Sequence, residues 1–146
     1  MPAADGPVSG RIWLPASKSI TNRALVLAAL SDRPARIANP LRARDTLLAA
    51  AALRAMGADV ADDPDEATVS TSGWLVTAGQ PPAGSRVSVD VGNAGTVMRF
   101  LPAVAALTSA TVRFDGDERI WQRHGSTRAS RSGTRARRSP PRRTSP

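Results

Sequence analysis

The sequence predicts an α/β fold. Short apolar strands and helical stripes alternate in the order β-α-β-α-β-β-β-β-α-β, the pattern of a layered sheet-and-helix domain. The length of 146 residues suits one such domain or a piece of a larger one. The pattern stops abruptly after Arg123. The last 23 residues hold seven Arg, five Ser, three Thr and three Pro, with no Leu, Ile, Val, Met or Phe. Such a segment cannot offset its ordering entropy by burial, so 124–146 is expected to be a disordered tail on a folded body at 1–123.

Each element has a local reason. Residues 11–15 read as a short strand stopped by Pro15, because proline cannot continue a ladder. Ser17 is the expected N-cap of a helix in which Ile20, Ala24, Leu27, Ala28 and Leu30 fall at the spacing of a buried stripe. A second strand, 36–40, also ends at proline. Asp45 or Thr46 is expected to cap a helix over 47–56 that ends at Gly57 in the C′ position. Weak strands at 58–61 and 67–71 flank an acidic turn at 62–66, and 74–77 is a further strand before the Pro-Gly turn 80–84. Residues 87–91 alternate with period two, 92–96 form a small-residue loop, and a helix spans 97–107. A strand at 111–114 precedes the turn 115–117. Trp13 and Trp74 are expected to pack in the interior. The core should be small, with at least one sheet edge open.

Charge separates the body from the tail. The whole chain carries +8 from 20 basic and 12 acidic residues. The tail accounts for +7 of this, leaving 13 basic and 12 acidic residues in the body. With no cysteine and one histidine, His124, disulfide frameworks, cysteine-ligated zinc, thiol nucleophiles and multi-histidine metal sites are excluded. No apolar run reaches the ~18 residues of a membrane span, and the N-terminus lacks the basic and apolar regions of a signal peptide. The expected location is the cytoplasm. Of the 20 basic residues only Lys18 is a lysine. In so arginine-biased a chain, its presence suggests a requirement for an ammonium.

Two segments offer anion-binding chemistry. Ser17-Lys18-Ser19-Ile20-Thr21-Asn22-Arg23 and Gly92-Asn93-Ala94-Gly95-Thr96-Val97-Met98-Arg99 each follow a strand and open a helix. Free N–H groups and the macrodipole favour anions there. Lys18 and Arg23 add positive charge to the first segment and Arg99 to the second. Two such starts suggest a small ligand with several negative charges. Each also has a plain reading as a capped helix with solvated charges. No Walker, dinucleotide or nucleophile-elbow glycine motif occurs.

The strings themselves are more specific. Leu14-Pro15-Ala16-Ser17-Lys18-Ser19-Ile20-Thr21-Asn22-Arg23-Ala24-Leu25 resembles the N-terminal signature of the EPSP synthase family, the 3-phosphoshikimate 1-carboxyvinyltransferases. Residues 92–99 resemble its second signature, and Asp45-Thr46 and Gly116-Asp117-Glu118-Arg119 match its spacing. The resemblance implies a partial enolpyruvyl transferase fold of βαβαββ-type units, in which 1–15 would pack on a second domain absent from this chain. It also implies transfer of the enolpyruvyl group of phosphoenolpyruvate to the 5-hydroxyl of shikimate 3-phosphate, with no cofactor or metal. These two small molecules are the implied partners, and family members are usually monomeric.

By position, Lys18 would touch both substrates, Ser19 and Arg23 would bind shikimate 3-phosphate, and Gly95 and Arg123 would meet phosphoenolpyruvate. Asn93, Thr96 and Arg99 would shape the loop. The family's acid/base residue, its second-domain Arg and Lys residues and its Ser-Ser-Gln segment have no counterpart here, so this chain alone is expected to be inactive. The related UDP-N-acetylglucosamine enolpyruvyl transferases are a weaker match: they typically have Lys-Asn where this chain has Lys18-Ser19 and carry a cysteine that is missing here.

The tail departs from the family, which continues after the arginine with Pro, Met or Ile, and Gly-Pro-Leu. One permitted codon set for His124-Gly125-Ser126-Thr127 is CAT GGG TCC ACT. One base on, it contains ATG GGT CCA CT, which opens Met-Gly-Pro-Leu. A frameshift or sequencing error is therefore the leading reading of 124–146. A nucleic-acid accessory role for the Arg-rich tail is the reading from another class. It is disfavoured because residues 124–146 contain no aromatic residue that could stack on bases.

Overall fold

A computed structural model describes residues 6, 9–10, 14–63 and 73–124. The expected strands at 11–15 and 67–71, Trp13 and the tail lie largely or wholly outside the described residues. Four helices and five strands fill the rest. They are α1 (Lys18–Ala29), β1 (Ala35–Ile37), α2 (Arg44–Ala55), β2 (Asp59–Asp63), β3 (Gly73–Thr77), β4 (Arg86–Asp90), α3 (Gly95–Ala105), β5 (Thr111–Asp115) and α4 (Glu118–His124).

α1 starts where its cap predicts: the Ser17 hydroxyl accepts from the Ile20 N–H at 3.5 Å. The expected buried stripe is corrected. Thr21, Asn22, Leu25, Ala28 and Ala29 face inward, while Ile20, Leu27 and Leu30 are exposed. Both faces of α1 carry apolar residues, so periodicity identified the helix without identifying which side meets the core. The inner polar residues have a purpose in at least one case. The Thr21 hydroxyl donates to Ser17 O and accepts from the Leu41 N–H, each at 3.0 Å, so it ties α1 to the chain entering α2.

α2 begins three residues before the expected start. Its N-cap is Ala43, and the Thr46 hydroxyl accepts from the Ala43 N–H at 2.9 Å. Thr46 thus reaches back to close the helix start from inside, and Asp45 is left free of the capping role. The other end follows expectation. Gly57 has φ 98°, its N–H donates to Arg54 O, and the Ala58 N–H donates to Leu53 O, both at 3.0 Å. These are the two bonds of a Schellman motif.

The strands form two sheets. β3 lies between β1 and β2, antiparallel to both, with Ile37 opposite Trp74 on one side and Val60 opposite Val76 on the other. β4 and β5 pair in parallel through the α3 crossover. α1, α2 and α3 pack against one another, α1 lies on β1 and β3, and α2 contacts β2 and β4. Leu25, Leu53, Trp74, Val76, Val89, Leu101, Val112, Phe114 and Ile120 belong to one continuous core. Trp74 is a packing residue, as expected, at 1 % exposure. α4 was not anticipated from the sequence. It follows the 115–117 turn and is anchored by Ile120, which is fully buried.

β2 also runs further than expected, through Asp62 and Asp63 of the anticipated acidic turn. Opposite charges make this possible. Arg42 Nη2 lies 2.6 Å from Asp62 Oδ1 and its guanidinium sits 4.9 Å from the Trp74 ring centroid, while Arg36 Nε is 3.5 Å from the buried Asp63. The hydrogen bond from Arg42 holds the Asp62 carboxyl below its ordinary range. A depressed carboxylate pKa stabilises the fold above the unfolded-state value, and that contribution is lost as pH falls through the folded-state value. In carboxyl-carbon NMR titration, Arg42→Ala should return Asp62 towards the ordinary aspartate range. An unchanged midpoint would show that Arg42 is not the cause.

Candidate functional site

The first turn of α2 links the two cationic helix starts. Lys18 is the first residue of α1, the end at which a cation opposes the helix dipole. Its ammonium lies 2.9 Å from Asp45 Oδ2, with the two side chains 50 % and 27 % exposed. Asp45 is in the first turn of α2, where a carboxylate is favoured by the dipole. Asp45 thus offsets the local cost of placing Lys18 at the wrong end of α1 for its charge. The sequence supplied twelve acidic residues and no sign of which one would meet the lone lysine. Asp45, a candidate cap by sequence, is instead the partner of Lys18.

The neighbouring residue, Arg44, turns the other way. Its Nη2 is 3.5 Å from Asp117 Oδ2. A Cβ on Gly92 would lie 3.2 Å from Arg44 Nη2 and 3.0 Å from Leu48 Cδ1, and Gly92 has φ 51°. The Gly92 carbonyl accepts from the Asp117 N–H at 2.9 Å. A Cβ on Gly116 would stand 2.5 Å from that same carbonyl oxygen. The loop before α3 therefore lies between the start of α2 and the turn into α4, with room for glycine only at 116 and a left-handed backbone that favours glycine at 92.

The loop's own bonds set the start of α3. The Gly92 N–H donates to Asp90 Oδ1 at 2.7 Å, and the Ala94 N–H donates to Val91 O at 2.9 Å. Ala94 is the N-cap and supplies no side-chain acceptor, so the N–H groups of the first turn keep donor capacity for an anion.

The expected site residues fall as follows. Lys18, Ser19 and Arg23 lie on α1 and are exposed. Ser19 and Arg23 are one turn apart and share a face. Gly95 is the first residue of α3, Thr96 is half-buried beside it, and Arg99 is exposed one turn further on. Arg23 and Arg99 make no ion pair among the described residues. Arg123 is in α4, but its side chain lies outside what the structure describes. Asn93 is in the loop, with its Oδ1 buried and unpartnered. Lys18 pairs with Asp45, while the neighbouring Arg44 lies against Gly92 and pairs with Asp117, and no direct bond joins the two strings among the described residues.

Sequence reasoning also missed Asn22. It follows Lys18 by one turn on the same helix face, is 1 % exposed, and has neither Nδ2 nor Oδ1 hydrogen-bonded. The available signal was a polar residue inside a helix whose outer face is apolar.

Among the described residues, no group of His, Cys, Asp and Glu side chains could hold a metal ion, and no helix is long and apolar enough to cross a membrane.

Comparison with known proteins identifies the relatives. A family model for EPSP synthase (3-phosphoshikimate 1-carboxyvinyltransferase) matches residues 2–124. The chain is 46 % identical over 113 residues to a 3-phosphoshikimate 1-carboxyvinyltransferase of Kocuria rhizophila, covering 77 % of this chain and 25 % of that protein. It is 49 % identical over 119 residues to a protein of the same name from Rhizobium leguminosarum bv. trifolii, covering 80 % and 26 % respectively. The UDP-N-acetylglucosamine and nucleic-acid readings are not favoured by these matches. The chain spans about a quarter of the length of the curated relatives it matches. With the match running from residue 2 through both cationic helix starts to the end of α4, the chain belongs to the EPSP synthase family.

Proposed function

We propose that residues 1–123 supply part of the substrate-binding wall of a cytoplasmic 3-phosphoshikimate 1-carboxyvinyltransferase and that 124–146 lie outside the family's reading frame. In the whole reaction a C–O bond forms between the shikimate 5-oxygen and C2 of the enolpyruvyl group. The C2–O bond to phosphate breaks, phosphate leaves and the hydroxyl proton is lost. Lys18 would place its ammonium between the two substrates. Ser19 and Arg23, one turn apart, would hold shikimate 3-phosphate, the arginine by its planar fork. Gly95 and the uncapped start of α3, with Arg123, would meet phosphoenolpyruvate, while Asn93, Thr96 and Arg99 shape that loop.

The observation that carries this reading is the lone lysine, held 2.9 Å from Asp45 at a helix N-terminus. One wall cannot supply the surrounding charges and exclusion of water that transition-state stabilisation needs. The 146-residue chain should therefore bind shikimate 3-phosphate without turning it over. Shift changes in a proton–nitrogen NMR titration should centre on residues 17–23. Arg23→Ala should weaken binding by about tenfold or more, the loss expected for a charge-assisted hydrogen bond. No perturbation by shikimate 3-phosphate would overturn the assignment of Lys18, Ser19 and Arg23. Shikimate 3-phosphate-dependent phosphate release by the pure chain would overturn its catalytic incompleteness. Genomic DNA beyond the codon for Arg123 should encode a family-like continuation in another frame. Its absence would remove the frameshift reading.

A further inference from the structure

We propose that Thr21 and Thr46 are positioning residues for the lone lysine: their buried hydroxyls hold Leu41 between the starts of α1 and α2 and so fix the point at which Lys18 meets Asp45. The Thr21 hydroxyl donates to the carbonyl of the N-cap Ser17 at 3.0 Å and accepts from the Leu41 N–H at 3.0 Å. The Thr46 hydroxyl donates to Leu41 O at 2.5 Å, with Ala43 O also in reach at 2.8 Å, and accepts from the Ala43 N–H at 2.9 Å. Leu41 is thus held by its N–H from α1 and by its carbonyl from α2. Thr21 is 3 % exposed and Thr46 0 %. Each hydroxyl uses its proton and a lone pair, and a buried network satisfied in this way keeps its geometry.

The consequence falls on Lys18. Its ammonium ends a flexible stem, and its side chain is 50 % exposed. An exposed ion pair gains little against the side-chain entropy of holding it. The pair therefore keeps one position only where fixed backbone presents the carboxylate. Asp45 directly precedes Thr46 in the first turn of α2, and Ser17 directly precedes Lys18. The bonds from Ser17 through Thr21 and Leu41 to Thr46 thus join the same two helix starts as the Lys18–Asp45 bridge and close it into a ring.

On the proposed function Lys18 stands between two anionic substrates, and an ammonium already held at one point loses less freedom on binding. That consequence rests on the proposed function; the placement of Lys18 does not.

The test uses the 146-residue chain with lysine isotopically labelled at Cε. Lys18 is the only lysine, so the label gives a single NMR signal. Asp45→Asn breaks the pair and marks where the signal of an unpaired Lys18 falls. Thr21→Val removes the hydroxyl at nearly constant shape. It should move the signal most of the way to that position while the circular dichroism stays that of the parent. Thr21→Ser restores the hydroxyl and should return the signal to the parent position. Affinity for shikimate 3-phosphate should fall by about threefold or more in Thr21→Val, part of the loss expected for a charge-assisted hydrogen bond, and recover in Thr21→Ser.

A Lys18 signal that Thr21→Val leaves in place in a folded chain overturns the proposal. So does a Thr21→Ser signal displaced as far as that of Thr21→Val, or a parent signal that already coincides with that of Asp45→Asn. If Thr21→Val does not fold, hydrogen exchange in the parent decides: a Leu41 amide that exchanges as fast as one in an open chain overturns the proposal, and a protected one supports it. A Lys18 signal that responds as expected in a chain indifferent to shikimate 3-phosphate supports the placement and counts against the proposed function alone.

Discussion

Gly79→Ala should remove a large part of the chain's stability and lower its urea midpoint well below that of the parent. A Cβ at position 79 would overlap the carbonyl oxygen of Gly57 and lie 2.8 Å from its carbonyl carbon. The approach is tight from the other side too: a Cβ on Gly57 would stand 2.5 Å from Gln80 C and 2.7 Å from Pro81 N. Here two backbones cross, the Schellman turn that ends α2 and the segment leaving β3. No flexible side chain lies between them to move aside, so relief requires separating α2 from the three-stranded sheet.

Overpacking of this kind costs about 1–3 kcal/mol where the surroundings can adjust, and more where only backbone can yield. Small domains have only about 5–15 kcal/mol in total. Gly57→Ala adds a left-handed backbone penalty of about 1–2 kcal/mol and should be similarly damaging. Gly84→Ala is the control. Its φ is also positive, 73°, but nothing lies within 4 Å of an added Cβ, so it should show only the conformational cost of about 1–2 kcal/mol. Urea unfolding followed by circular dichroism would rank the three. A Gly79→Ala midpoint no lower than that of Gly84→Ala would show that the crossing is looser than described.

That contrast marks what could be read from the chain in advance. Gly57 was legible as a helix stop because it follows a helical stripe and leads into a strand. Gly79 was not, because its partner is twenty-two residues away and close backbone approach leaves no periodic trace. The same division holds for the site. Ser17 as a cap, the rarity of Lys18 and the two helix-opening strings were all visible locally. The Lys18–Asp45 and Arg44–Asp117 contacts were not, since each depends on how α2 packs against its neighbours. The α1 stripe failed for a related reason. Apolar spacing reports the faces of a helix, and α1 has two such faces; only tertiary contacts decide which is covered within this segment. The extension of β2 through Asp62 and Asp63 was hidden because their neutralising arginines, Arg42 and Arg36, come from an earlier part of the chain.

Asn22→Leu should move stability and binding in opposite directions. The Asn22 side chain is 1 % exposed and both amide atoms lack a hydrogen-bond partner. A buried unsatisfied polar group costs about 1–3 kcal/mol. Leucine is close enough in size to fill the same space with apolar contacts, so the variant should be more stable. At about 4 °C per kcal/mol for a domain between 100 and 150 residues, the melting temperature should rise visibly.

A purely structural residue with that cost would have no reason to be polar. Asn22, however, lies one turn behind Lys18 on the same face of α1, and Asn93 Oδ1, in the loop before α3, is orphaned in the same way. On the proposed function, the Asn22 amide and Asn93 Oδ1 keep hydrogen-bonding capacity in reserve for a bound ligand, a conflict between stability and function. Affinity for shikimate 3-phosphate should therefore fall severalfold in Asn22→Leu, while Lys18 and Asp45 remain paired. A variant that melts lower than the parent would show that the amide is satisfied in solution. One that melts higher and binds as well as the parent would show that the amide serves neither the fold nor the ligand.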